Sequence, residues 1–394
     1  MKLTTRWTPS WHASRSLLAI GLLAGSLAAC SEPTAANEAP AGTLTVVPTA
    51  NMRAEDLSAD GKTILMTDLT SPTADFYFYD IVTGTSTLKG SAGDVMFDFS
   101  TGISNGLRVS AIHGKPENAG LWQQVTGWSD LGNIYANGCE FDDVTHQQDQ
   151  SGGWDIDSAG HVAVGLIWNA CNAEAFLWSD AGGAGGFTSL DLLGDSTPEA
   201  PIKPPINRAT VISDNGLVAG GFASHVANIG GTLYWIDRWP AIWQANGTGT
   251  MLPSNAAFTD DCPGEVLAIA GNGSTVAGVW CQHAFLWSAA TGVIDLTPTS
   301  GGWGQAVALD GQLVFGTSGG GFDPAVPFVW TQAGGVKSLA DIAAANGITL
   351  PTNLYWLAVV AASADGTVVV GTMTDDTFNT YTVVLKLPVS VYGL

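Results

Sequence analysis

The chain has 394 residues with 13 basic and 35 acidic side chains, a formal net charge of −22. That acidity argues against nucleic acid and anionic lipid headgroups as partners and suits cations or neutral ligands. Gly (49 residues) and Trp (15) are abundant while charged residues make up only 12%, a composition of many short strands and tight turns rather than of helices.

In chain order, the first feature is a basic start (Lys2, Arg6, Arg15) followed by the apolar run "LLAIGLLAGSLAAC". It reads as a secretory leader over residues 1–29, too short and wrongly flanked for a transmembrane helix. Leu27-Ala28-Ala29-Cys30 resembles the bacterial lipobox. The resemblance implies cleavage before Cys30 and lipid on its sulfur and new amino group; an ordinary leader with a chance cysteine is the alternative. Ser31 rather than Asp after the cysteine implies sorting to the outer membrane, and several acyl chains anchor stably where one is marginal. Loss of the leader removes three basic residues and no acidic one, so the formal charge becomes about −25. "SEPTAANEAPAG" carries no large apolar residue, so residues 30–42 are expected to form a flexible tether to a single domain over 43–394. No later segment is apolar for long enough to span a bilayer.

The rest of the chain repeats itself. "LSADGKTILMT" at Leu57 returns as "ASADGTVVVGT" at Ala362, with variants at Ile103, Ile156, Ile212, Ile269 and Val307. The aligned glycines Gly61, Gly106, Gly160, Gly216, Gly273, Gly311 and Gly366 give a period of about 51 residues. Asp or Asn precedes the glycine in six of the seven copies, which predicts a tight hairpin turn with φ > 0 joining strands A and B. A second glycine ends strand B in several copies (Gly165, Gly278, Gly316, Gly371). Strand C ends in Trp122, Trp178, Trp243, Trp287 or Trp330, with Tyr79 in the first copy. A glycine and a short strand D follow.

Four antiparallel strands every 40–55 residues are the blade of a β-propeller. The last copy has A, B and C, but only "PVSVYGL" after them. At the other end "GTLTVVPTA", residues 42–50, is a strand with no A–B–C before it. The fold expected is therefore all-β: a seven-bladed propeller of four-stranded antiparallel blades, closed by the N-terminal strand (43–50) in the vacant D position of the last blade.

The pattern V-x-G…H-A-F-L-W-S…G…L, carried by His283-Ala284-Phe285, resembles the bacterial extracellular HAF-repeat proteins. The first copy, "SADGKTILMTD…FYFYDIVTGT", looks like the TolB-type propeller repeat. The HAF resemblance implies a secreted or surface propeller and marks architecture more than activity. The other copies have Glu174, Pro240 or Val326 at the position of His283. No shared chemistry then needs a histidine there, and His283 reads as a strand-start residue rather than a catalytic base.

Four cysteines remain after Cys30: Cys139, Cys171, Cys262 and Cys281. Three pairings exist in an exported chain. Strand A leaves one rim and B returns to it, so the start of A and the B–C connection of one blade meet there. This favours Cys139–Cys171 and Cys262–Cys281. Zinc binding is disfavoured because no CxxC occurs.

No catalytic motif survives its context. "GTSGG" at Gly316–Gly320 matches G-x-S-x-G, but a loop and a strand follow Ser318 where a nucleophile elbow needs a helix. "GGAGG" at Gly182–Gly186 falls in a hairpin loop. Asp142-Asp143, Asp260-Asp261 and Asp375-Asp376 read as solvated loop acids. They are also candidates for Ca²⁺ or for glycoside hydrolysis, and His146 and His161 could join Asp142 in a metal site. No cofactor other than Ca²⁺ is suggested. The longest B–C connection, residues 221–240, holds Tyr234, Trp235, Arg238 and Trp239, and the same rim carries Trp168, Trp280 and His283. Aromatics beside an arginine could stack on a sugar or grip a peptide; packing over the blade ends explains them equally well.

Two functions follow. The first is a lipid-anchored, monomeric, extracytoplasmic propeller that binds a glycan, peptide or protein at its rim or axial mouth without catalysis. The second is a propeller-type polysaccharide hydrolase or lyase with acids in the central funnel. The visible strand A residues are mostly Ala, Val, Ile and Leu, so few carboxylates are expected at the axis, which favours the first.

Overall fold

The computed structural model describes residues 42–93, 101–139, 148–194, 205–259, 261–319 and 325–394. Seven four-stranded antiparallel sheets follow one another. Their inner A strands are Met52–Leu57, Thr101–Ile103, Ser151–Ile156, Asn207–Ile212, Gly264–Ile269, Gly302–Ala308 and Tyr355–Ala362. In the seventh sheet the outermost position belongs to Thr43–Val46, antiparallel to Thr380–Lys386 with Thr43 opposite Lys386 and Val46 opposite Val383. The expected closure is thus the one observed. Among the described residues one α-helix occurs, Leu339–Ala345, capped by Ser338 Oγ on the Asp341 N–H. No helix among them is long and apolar enough to cross a membrane.

The core lies between blades. Phe315 and Val329 of the sixth blade, Leu339 and Ile342 of the helix, and Val359 and Leu385 of the seventh form one buried cluster. Met52, Ile64 and Tyr79 of the first blade pack on Val370 and Val384 of the seventh in another. The strand C aromatics serve the same end: Trp243 is fully buried and its Nε1–H donates to the Asp191 carbonyl of the preceding blade at 2.9 Å.

The tight A–B turns are built as loops longer than two residues. The Gly61 N–H donates to the Ser58 carbonyl at 2.7 Å, the Ser58 N–H to the Thr63 carbonyl at 2.9 Å, and Gly61 has φ +69°. This is a longer loop around a type I turn, with the glycine alone in the left-handed region. The residue before the glycine is needed for its side chain instead: Asp60 Oδ1 accepts from Ser58 Oγ at 2.8 Å, and Ser58 Oγ accepts from the Thr63 N–H at 3.0 Å. Ser213 and Ser363 repeat the arrangement with Asn215 and Asp365.

The second glycine also has a structural cause. Strand A carries a β-bulge in each of six blades: Glu55, Trp154, Thr210, Leu267, Gln305 and Leu357 each stand without a partner in strand B. Gly165, Gly221, Gly278 and Gly316 pair with the residue just before the bulge. A Cβ at Gly278 would lie 2.0 Å from the Glu265 carbonyl oxygen. Gly278→Ala is therefore expected to cost about 2–3 kcal/mol in urea denaturation; an unchanged midpoint would show that the bulge can yield.

Both expected disulfides are present, Cys139–Cys171 and Cys262–Cys281. Cys171 and Cys281 sit at the tips of B–C hairpins, in two-residue turns with both φ positive (Ala170–Cys171, Cys281–Gln282). Two disulfides fit an extracytoplasmic protein.

Candidate functional site: the axial cavity

Because the A strands surround the axis, the bulges decide what points into it. Counted back from each turn glycine, the residues eight and six positions earlier include Arg53 and Glu55, Arg208 and Thr210, Glu265 and Leu267, and Trp303 and Gln305. All of these except Arg53 line a cavity of about 730 Å³ along the axis, with Asp56, Trp154, Asp155, Asp214 and Arg238. The expectation that few carboxylates reach the axis is therefore corrected. The bulge adds Glu55, Thr210 and Gln305 to the lining, while Asp56, Asp155 and Glu265 stand at regularly paired strand positions.

Near the hairpin-side mouth, Glu265 is 2% exposed and held by two arginines. Arg208 Nη2 lies 2.6 Å from Oε1 and Arg238 Nη1 lies 2.9 Å from Oε2. Thr210 Oγ1 donates to the same Oε1. The Arg208 guanidinium lies 4.7 Å from the centroid of Trp154 and 4.8 Å from that of Phe222, and Arg238 lies 5.0 Å from Phe222. Two cations stacked on rings and sharing one carboxylate make a rigid wall. Arg53 Nε pairs with Glu55 Oε1 at 2.9 Å. Trp303 and Leu357 line the cavity from the sixth and seventh blades and are 53% and 47% exposed.

Deeper in, Asp56 Oδ2 accepts from the Ile103 N–H of the next blade at 2.8 Å. Asp155 Oδ2 accepts from the Ile212 N–H of its own next blade at 2.8 Å. Burial pushes Asp56 up to about 7. Burial, then the nearby Asp56, raises Asp155 well above the carboxylate range. Burial also raises Asp214, with Asp157 and Asp310 adding to it. At the turn-side mouth the A–B turns are laced from blade to blade: the Ala364 N–H donates to the Ala59 carbonyl, Asn105 to Ser158, Ser158 to Asp214, Asn215 to Gly271, and Leu309 to Ala364.

A carboxyl whose folded pKa lies above its unfolded value binds its proton more tightly when folded. Stability is then lost as pH rises between the two values, here from about 4 to about 7 for Asp56. The protein is expected to lose on the order of 4 kcal/mol across that window from this group. Asp56→Asn keeps an acceptor for the Ile103 N–H and should flatten the slope, with Asp56→Asn/Asp155→Asn flattening it further. Urea denaturation at pH 4.5 and 7.5 reads this, and an unaltered slope contradicts it.

Of the seven rim residues expected from sequence, Arg238 alone lines the cavity. Trp239 and Trp280 are interior residues: they meet edge to face at 4.8 Å, and Phe258 stacks on Trp280 at 5.3 Å. Tyr234 is exposed and Trp235 half-buried on the hairpin arm formed by Val218–Ile229 and Thr232–Gln244. Trp168 is half-buried, its carbonyl accepting from Asn133 Nδ2. His283 begins strand C of the fifth blade, and its Nδ1 lies 2.9 Å from Asp295 Oδ2.

The other candidates are dispersed. Ser318 ends strand B of the sixth blade and donates to the Val326 carbonyl. His161 pairs with Asp180, which also takes Arg108. Asp261 accepts from Thr259 Oγ1, and Asp375 accepts from the backbone N–H groups of Thr377 and Asn379. Cys30 with the leader and the tether to residue 41, and Asp142, Asp143, His146 and Asp260, lie outside the described residues.

No family model matches the chain, and no curated protein matches it. Among solved structures it is similar to oligogalacturonate lyase in complex with manganese, at 13% identity over 89% of this chain and 94% of that one, with a TM-score of 0.52. It is similar to oligogalacturonate lyase from Vibrio parahaemolyticus at 13% identity over 88% and 94%, TM-score 0.51. TolB from Acinetobacter baumannii is 12% identical over 70% of this chain, which spans 63% of that TolB chain, with a TM-score of 0.38. The two lyase likenesses show the propeller fold. Among the described residues no group of three or more His, Cys, Asp or Glu side chains is placed to hold a metal ion. The residues around Asp56, Asp155 and Glu265 do not fit one: backbone N–H groups and guanidinium groups already occupy those carboxyls.

Proposed function

We propose that the chain is an exported, lipid-anchored β-propeller, of the HAF-repeat kind, that binds a ligand at the hairpin-side mouth of its axial cavity without transforming it. One observation carries this reading: the Arg208–Glu265–Arg238 wall, fixed on Trp154 and Phe222, stands in the same cavity as the exposed Trp303 and Leu357. A concave site with a few fixed polar groups and an open aromatic face is built for recognition. The carboxyls Glu55, Asp56, Asp155 and Glu265 are engaged by guanidinium or backbone N–H groups, which favours binding over catalysis. The lipid on Cys30 would hold a monomeric domain at the outer membrane. Binding of glycans and peptides to the purified protein tests the reading. Affinity for the detected ligand should fall about tenfold in Trp303→Ala and in Arg238→Ala and stay level in Tyr234→Ala. If every detected affinity survives Trp303→Ala, the axial mouth is not the site.

A polysaccharide hydrolase or lyase is the second reading. Its support is the neighbouring pair Asp56 and Asp155, two carboxyls raised toward the protonated form in one cavity. Turnover of a polysaccharide that disappears in Asp56→Asn and Asp155→Asn would favour it.

A further inference from the structure

Around the hairpin-side mouth, the sixth and seventh blades expose an unusual amount of apolar surface. Trp303 is 53% exposed, Tyr355 50% and Phe378 87%. Tyr355 begins strand A of the seventh blade, two residues before Leu357, which lines the cavity. Tyr355 pairs with Thr374 of strand B, and Phe378 stands in the turn that follows Thr374. The three aromatics thus stand on two successive blades at the same end of the ring.

Phe378 is held there against its own preference. It has φ +63°, a region bulky residues avoid. Asp375 fixes the turn: its Oδ1 accepts from the Thr377 and Asn379 N–H groups, and its carbonyl accepts from the Phe378 N–H at 2.9 Å. A large apolar side chain in strained backbone and almost wholly in water has no packing role to explain it.

The charge inside the cavity is nearly cancelled, although the chain carries −22. Arg53 offsets Glu55, and Arg208 and Arg238 close on Glu265. Asp56 and Asp155 are pushed toward their neutral forms by burial. Each of these cations already has a carboxylate partner, so a strongly ionic ligand would have to compete for it. Gln305 supplies a neutral hydrogen-bonding group on the same walls. Flat apolar faces outside and a polar, charge-balanced chamber inside match a chain of rings that are apolar on their faces and hydroxylated at their edges.

We infer that the ligand is an uncharged oligosaccharide, one end of which enters the axial cavity past Trp303 while the following sugars stack on Tyr355 and Phe378. The inference rests on the axial-mouth reading and deepens it. A second consequence concerns Phe378: glycine takes its backbone conformation without strain, so the phenyl ring is kept for binding at a cost in stability.

The test uses the purified protein with neutral gluco-, xylo- and chito-oligosaccharides of two to six sugars, oligouronides, and an unstructured peptide mixture, measured by calorimetry at 20 and 300 mM NaCl. Neutral oligosaccharides should bind with affinity that rises with chain length and changes less than twofold with salt. Trp303→Ala should weaken every length about tenfold. Phe378→Gly should weaken the long oligosaccharides at least fivefold, leave disaccharides within twofold, and raise Tm. Binding confined to oligouronides or peptides, yet lost in Trp303→Ala, overturns the neutral-glycan inference and leaves the axial mouth standing. Neutral oligosaccharide binding that is indifferent to Trp303→Ala overturns both. A Phe378→Gly protein that binds hexasaccharide as tightly as the unaltered chain overturns the stacking track.

Discussion

Deletion of Thr43–Val46 is expected to lower Tm by more than 10 °C and to produce strand-exchanged dimers. The segment fills the outer edge of the seventh blade in register from Thr43–Lys386 to Val46–Val383. Leu44 packs against one inter-blade cluster and one cluster of the seventh blade itself, and Val47, fully buried, donates its N–H to the Thr382 carbonyl at 2.9 Å. Thr382 Oγ1 in turn donates to the Met52 carbonyl of the first blade at 2.9 Å, so the strand that the segment covers also ties the first blade to the last. Removing it strips Thr380–Lys386 of its partner and leaves a long apolar edge, which pairs with another chain when its own partner is missing. The lost burial of Leu44 and Val46 and the broken ladder together are worth about 5 kcal/mol. Calorimetry and light scattering read both effects. A monomer with unchanged Tm would mean that the ring closes without this strand.

Glu265→Ala is expected to cost about 3–5 kcal/mol, more than either arginine substitution alone. Glu265 is buried and bonded to Arg208 and Arg238 together. Its loss leaves two neighbouring cations facing each other, and an uncompensated charge in such a site is the expensive case. Glu265→Gln keeps the shape but not the charge and should fall between the two. Arg208→Met in the Glu265→Ala background removes the repulsion and should recover at least half of the loss. Urea denaturation of the unaltered chain, Glu265→Ala, Arg208→Met and the double variant gives the coupling directly. If Glu265→Ala is within 1 kcal/mol of the unaltered chain, the cluster is not a structural unit of the cavity wall.

The ring was legible in the sequence because its signals repeat. Seven turn glycines fall into step, the strand C aromatics fall at matching places, and the last copy lacks the strand with which the chain begins. The disulfides followed from the same topology, since the start of strand A and the B–C turn share one rim. The axial site was hidden for a specific reason. A β-bulge leaves no mark in a strand of Val, Ile and Ala, yet it turns Glu55, Thr210 and Gln305 inward. The trace that was present is positional: polar residues eight and six places before the turn glycine. The glycines of strand B, which look like strand ends in the sequence, mark the bulge from the opposite side. Trp239 and Trp280 showed the converse difficulty. Aromatics near a long hairpin look alike whether they meet solvent or one another, and only the stacking of Phe258 on Trp280 decides it. The helix Leu339–Ala345 went unread because seven residues after a strand are too few to show a helical period.

The most direct measurement is the crystal structure of the protein with the ligand that the binding experiments identify. The account expects the ligand's density in the hairpin-side mouth, with one ring on the face of Trp303 and polar groups within hydrogen-bond reach of Arg238 or Gln305. Density on the hairpin arm at Tyr234 or along an outer blade edge, with the axial cavity holding only water, would contradict it.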